Sequence, residues 1–105
     1  MQDQSTLTLF VQAKALPSKE SDLHLALLEL AEQSRQDEGC LQYDVYIDKY
    51  SQRKFTLFEN WISDDLWQKH MESKHVRKFT ALSKGRIAEW QMQNLRPALS
   101  FMSPK

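Results

Sequence analysis

Within FTLFENWISDDLWQKHMESKH, residues 55–75, a carboxylate, an indole and two imidazoles occur as Glu59, Trp61, His70 and His75, a spacing of E-x-W-x8-H-x4-H. Carboxylates and imidazoles exchange protons near neutral pH once burial and neighbours shift them, so the group is a candidate base with its orienting partner. Glu59 is the unusual member. In KFTLFENWI it shares the odd positions of an alternating segment with Phe55, Leu57 and Trp61, which puts a carboxylate on the apolar side of a strand. Alone there, it would have its pKa raised by desolvation; beside an imidazolium it would stay ionised, so Glu59 and a histidine are expected to stabilise each other's state. His70 and His75 are both candidate bases. Trp67, Phe79, Trp61 and Tyr43 are candidate substrate-binding walls, whereas Tyr46 and Phe58 have the opposite parity from Tyr43 and Trp61 and cannot share one cavity with them. The same spacing equally describes a satisfied polar cluster that ties a helix to a sheet, with the aromatic residues as core. Glu59, His70 and His75 are of metal-ligand type, but H-x4-H lacks the spacing of the common zinc motifs and no metal is expected.

Periodicity gives the elements that must position these residues. In LTLFVQAKA, Leu7, Leu9, Val11 and Ala13 alternate with more polar positions, the period of a strand. Pro17 then opens a segment in which Leu23, Ala26, Leu27, Leu30 and Ala31 recur at helical spacing, with Gly39 as a stop. Leu25 and Leu28 fall outside that stripe, which leaves the helix more apolar surface than one sheet needs. CLQYDVYID alternates again, with Leu41, Tyr43, Val45 and Ile47 on one face, and KFTLFENWI is the third strand. Ser63 is placed to cap a short helix whose first turn carries Asp64 and Asp65 and whose inner face is Leu66, Trp67, His70 and Met71. A further helix is predicted from about Val76 to Trp90, interrupted by Gly85, and NLRPALSFM is predicted as a last strand, at an edge because Pro97 has no hydrogen to donate. His24 reads as surface, and Cys40, the single cysteine, as a packing residue without an activating neighbour.

With 105 residues the chain fits one domain, 1–105, with a structured core over about 6–101. Fourteen basic and fourteen acidic residues cancel, and without a basic stripe nucleic acid is not an expected partner. The apolar runs are too short to span a bilayer and the first twenty residues show no signal-peptide pattern, so no membrane association and a cytoplasmic location are expected. The order β, α, β, β, α(α), β predicts an α+β fold, a ferredoxin-like split βαβ with a four-stranded antiparallel sheet and its helices on one face. Apolar residues on the other face would favour association, so a homodimer packed sheet to sheet is expected.

Three segments, DEGCLQYDVYID, FTLFENW and HMESKHVRKF, resemble the antibiotic biosynthesis monooxygenase domain family, with E-G-C-x-x-Y, E-x-W and H-x4-H in that order. The resemblance covers nearly the whole chain. It implies a dimeric α/β barrel of two ferredoxin-like subunits and a branch near the quinol monooxygenases and autoinducer-2 degrading proteins, in which Glu59, His70 and His75 match the shared polar positions. It also implies oxygenase chemistry on a small aromatic or quinol substrate with O2 and without a metal, flavin or other cofactor. A haem-degrading role is not expected: that branch has an Asn on the first strand, a Trp on the short helix and a later His, where this chain has Gln12, His70 and no His after His75. Two alternatives remain open from the residues. One is an isomerase or degrading enzyme for a small signal molecule or metabolite, and the other a noncatalytic dimer that binds a small apolar ligand.

Overall fold

Strict alternation carries the first segment into a strand, β1 (Leu7–Ala15), in which every odd position is buried. The computed structural model describes residues 6–98. After β1 come α1 (Glu20–Ser34), β2 (Cys40–Ile47), β3 (Lys54–Trp61), α2 (Asp64–Met71), α3 (Lys74–Ser83) and β4 (Ile87–Leu95). The four strands form one antiparallel sheet in the order β2-β3-β1-β4, the ferredoxin-like arrangement the element order predicts. Among the described residues no helix is long and apolar enough to cross a membrane.

The core lies between the helices and one face of this sheet. Leu9, Val11, Leu57 and Trp61 from the strands meet Leu23, Leu27 and Leu30 of α1 and Val76 and Phe79 of α3. Register then fixes what sits beside what: Leu9 and Tyr43 both pair with Glu59 across β3, so Tyr43, Glu59 and Leu9 form one row under the helices. Leu25 and Leu28 lie on the outer side of α1 and are exposed, as their position off the stripe predicts. His24 is half-buried rather than on the surface, with its ring 5.6 Å from that of Phe55.

The opposite face of the sheet is mixed. Phe10 pairs with Phe58 at its centre, and beside them Thr8 donates to Asn60, Asn60 Nδ2 donates to Gln42 Oε1 at 2.6 Å, and Gln42 Nε2 donates to Asp44 Oδ2 at 2.7 Å. On β2 the expected inward row is only partly inward. Tyr43 is buried, but Leu41 is 57% and Ile47 45% exposed, because β2 is an edge strand whose register shifts between Cys40 and Gln42, leaving Leu41 in the irregularity.

Sequence and structure part at the last helix. The segment predicted as one helix from Val76 to Trp90 stops at Ser83. Gly85 follows at φ +76 with no atom within 4 Å of where a Cβ would stand, so it serves a backbone turn that a side-chain-bearing residue rarely adopts. Ile87 then starts β4, which pairs with β1 along nearly all its length. Ile87 and Trp90 fit helical spacing by coincidence; the alternation of Trp90 and Met92 with Gln91 and Gln93 is the period that wins, because it satisfies the free edge of β1. Of the predicted strand NLRPALSFM only Asn94 and Leu95 lie in β4. Pro97 comes after it, where a missing backbone hydrogen costs nothing, and 99–102 lie outside the described residues.

Candidate functional site

β3 delivers Glu59 and Trp61 side by side, two residues apart on the buried face. The Trp61 indole donates from Nε1 to Glu59 Oε1 at 3.0 Å. Glu59 is only 4% exposed, and burial pushes its carboxyl from 4.5 up to about 7, against the smaller opposite pull of the Trp61 N–H and the Tyr43 hydroxyl. Both of its partners are neutral donors. The Tyr43 hydroxyl is itself raised, first by burial and then by Glu59.

α2 delivers His70. Its N-cap is Ser63, whose side chain accepts from the Leu66 N–H, with Asp64 and Asp65 in the first turn, so the helix starts where the sequence sets it. His70 is 3% exposed and packs against Trp61 with the rings tilted by 37° and their centroids 4.4 Å apart, and Tyr43 lies at 5.8 Å. The Ser73 side chain accepts from the Val76 N–H and starts α3, which carries His75 in its first turn.

The two imidazoles meet at a residue the sequence reading did not single out. His70 Nδ1 and His75 Nε2 each lie 2.7 Å from the same oxygen, Oδ2 of Asp37, in the turn between α1 and β2. Glu59 is therefore not the hydrogen-bonded partner of either histidine: the expected Glu–His pair is replaced by Asp37–His70 and Asp37–His75, with Glu59 held by Trp61. Periodicity carries no signal for Asp37 because turn residues have none; the only hint is its place directly before Glu38-Gly39-Cys40 at a strand start. Burial holds the His70 pKa below its ordinary 6.5, although the hydrogen bond and charge of Asp37 pull the other way. Cys40 is pushed up to about 11, chiefly by burial, and is an inert packing thiol.

Asp37, His70 and His75 offer one donor atom each, all within 4.8 Å of one another, a set of the type that holds divalent cations. The two N···O separations of 2.7 Å are hydrogen-bond distances, shorter than the roughly 3.3 Å between ligands around a tetrahedral zinc ion. The geometry is that of protons shared among three side chains.

Above this cluster opens a cavity of about 330 Å³, at the lower end of the range for small-molecule sites. Trp67 and Met71 of α2, Phe79 of α3, and Trp90 and Met92 of β4 supply its apolar walls, and Tyr43, Glu59 and His70 its polar floor. Phe79 and Trp90 close one side, ring centroids 5.9 Å apart. Among the described lining residues there is no Lys or Arg. Of the candidate residues from sequence, Glu59, His70, Tyr43, Trp67 and Phe79 line this cavity. Trp61 is fully buried behind it, and His75 faces a small depression beside α1 and α3 instead.

Comparison with known proteins gives consistent matches. A family model described as "Antibiotic biosynthesis monooxygenase" matches residues 6–82. The Bacillus subtilis (strain 168) protein named "Putative monooxygenase YcnE" is 27% identical over 78 residues, spanning 74% of this chain and 82% of that protein. Among solved structures, PA3566 from Pseudomonas aeruginosa superposes with a TM-score of 0.87 at 26% identity, covering 92% of this chain and 98% of that one. Rv0793 from Mycobacterium tuberculosis has the same fold, with a TM-score of 0.83 at 22% identity over 89% of this chain and 95% of its own.

Proposed function

This chain belongs to the antibiotic biosynthesis monooxygenase family, and we propose that it oxidises a small neutral hydroxyarene or quinol with O2, using His70 as base and no cofactor. The observation that carries this reading is an imidazole and a carboxyl, both buried, at the floor of an otherwise apolar cavity. A phenolic ring fits between Trp67, Phe79 and Trp90, and its hydroxyl meets the polar floor. His70 takes the hydroxyl proton. The resulting phenolate, kept from water, gives one electron to O2, and the aryloxyl radical and superoxide join at a ring carbon that bears hydrogen. Loss of that C–H proton with cleavage of the O–O bond leaves a second carbonyl on the ring, and the released hydroxide departs as water with the proton that His70 held. One oxygen atom enters the product and one leaves as water.

The absence of Lys and Arg from the described lining favours an uncharged substrate over a phosphorylated or carboxylated one. The apolar walls also speak against a polyhydroxylated signal molecule, the substrate an isomerase or degrading enzyme would take. We further propose that the chain works as a homodimer packed through the outer face of the sheet, where Phe10, Phe58 and Tyr46 lie half-buried or exposed. Oxygen uptake with a panel of naphthols and reduced quinones tests the reaction. Turnover should consume O2, and His70→Ala should lower kcat/KM by about 10²–10⁴. Turnover that proceeds anaerobically would support the isomerase reading, and binding without conversion would support a ligand-binding role.

A further inference from the structure

We propose that Asp37 is the positioning residue of this site: it fixes the tautomer of His70 so that Nε2 keeps the lone pair, and His75 holds Asp37 in place for that task. The inference rests on His70 being the base. An ionised carboxylate has no hydrogen to donate, so both short contacts to its Oδ2 require hydrogens on the imidazoles, at Nδ1 of His70 and Nε2 of His75. This assignment comes from the hydrogen-bond network. A neutral His70 with its hydrogen on Nδ1 has one basic atom left, Nε2, on a side chain that lines the cavity. The ring cannot easily turn to exchange the two nitrogens, because Trp61 covers one side and Tyr43 meets it edge-on.

Asp37 is itself held from several directions. Its N–H donates to the Ser34 carbonyl at 3.0 Å, and its carbonyl accepts from the Cys40 N–H at 3.1 Å. Two residues on, the Gly39 carbonyl accepts from the Ile62 N–H at 2.9 Å, which joins the turn to the end of β3. α2 rests directly on this turn: a Cβ at Gly39 would stand 2.6 Å from Leu66 Cδ1. The turn that carries Asp37 and the helix that carries His70 are thus in contact through a glycine. His75, which does not line the cavity, supplies the second N–H to Oδ2 and restrains the carboxylate. A carboxylate behind an imidazole is the arrangement that sets tautomer and orientation in hydrolase triads, where the carboxamide variant keeps the shape and loses the tautomer.

The test is Asp37→Asn in the full chain, read by long-range ¹⁵N–¹H NMR of the histidine rings and by kinetics. The wild-type His70 ring should carry its hydrogen on Nδ1. In the variant the carboxamide can donate to Nδ1, the ring should shift to the Nε2–H form, and kcat should fall by about 10²–10⁴ with KM within about threefold. Unchanged His70 tautomer in Asp37→Asn, or unchanged kcat, would overturn the proposal. His75 gives a second route if Asp37→Asn does not fold: His75→Gln, whose amide can still donate to Oδ2, should retain most of kcat, while His75→Leu should lose about tenfold. Equal kcat in those two variants would overturn the supporting role of His75. Failure of the base reading is separable, since His70→Ala would then retain turnover whatever the NMR of Asp37→Asn shows.

Discussion

Glu59 and Asp37 are both carboxylates beneath the helix layer, yet their surroundings treat them in opposite ways. Glu59 projects from the middle of a central strand, is 4% exposed, and meets an indole N–H and a phenol. Asp37 lies in a turn at the rim of the same layer with about a fifth of its side chain exposed, and meets two imidazoles. Neutral donors offset only part of the desolvation of Glu59, so its carboxyl is driven up to about 7. Imidazoles can take on charge themselves, so Asp37 sits in a cluster where a proton can move without isolating a charge. His70 belongs to both neighbourhoods, packed against Trp61 and hydrogen-bonded to Asp37. Burial alone therefore does not assign a role to a carboxylate; the protonation chemistry of its donors does.

The contrast can be broken most strongly at Glu59. A carboxyl raised from 4.5 to about 7 in the folded protein binds its proton more tightly there than in the unfolded chain. Its stabilising contribution is complete below about pH 4.5 and is lost as pH rises through 7. The wild type should lose roughly 2–3 kcal/mol between about pH 5 and pH 8 through this group, and Glu59→Gln should lack that slope in denaturant titrations at the two pH values. An equal slope in the variant would return Glu59 to the ordinary carboxylate range. On the Asp37 side, Gly39→Ala should cost about 2 kcal/mol, since it strains a φ of +87 and drives a Cβ into Leu66. Turnover should fall with it as α2 and His70 shift from Asp37, which thermal denaturation and kinetics together would detect.

A third measurement concerns the group the two clusters share. Asp37 and His75 contact His70 directly, and Glu59 and Tyr43 lie with it on the cavity floor. In Glu59→Gln, which removes the carboxyl that titrates at about 7 on the same floor, the His70 pKa held below 6.5 should leave kcat/KM level near pH 7 and falling about tenfold per pH unit, about 1.4 kcal/mol, only on the acid side of that lowered value. A fall beginning above pH 6.5 would contradict a burial-dominated His70. The smallest effect is expected from Trp61→Phe, which removes the indole donor to Glu59. It should cost about 1 kcal/mol and raise the Glu59 pKa further, moving the pH slope upward without altering the tautomer of His70.

How much of this was legible in the sequence depended on periodicity. β1 and β3 alternate so cleanly that their bounds, the burial of Glu59 and the row it shares with Trp61 follow from counting by twos. Ser63 and the short helix behind it were readable for the same local reason. Asp37 was not readable because a turn has no period, and its role arises only when α2 and α3 fold back over it, 33 and 38 residues further on. β4 was misassigned because Ile87 and Trp90 fit a helix spacing, and only pairing with β1 decides otherwise. That error hid Trp90 and Met92 as walls of the cavity. The exposure of Leu41 was equally out of reach, since it depends on β2 lying at the sheet's edge.

The cavity has one wall of unusual make. β4 pairs with β1 on one side only, and among the described residues its other margin has no neighbouring strand, so the backbone carrying Trp90 and Met92 is, like β2, an edge of the sheet. One wall of the cavity is therefore a strand that can open without breaking pairing on both sides. Faster amide exchange along 87–95 should go with shorter ligand residence time.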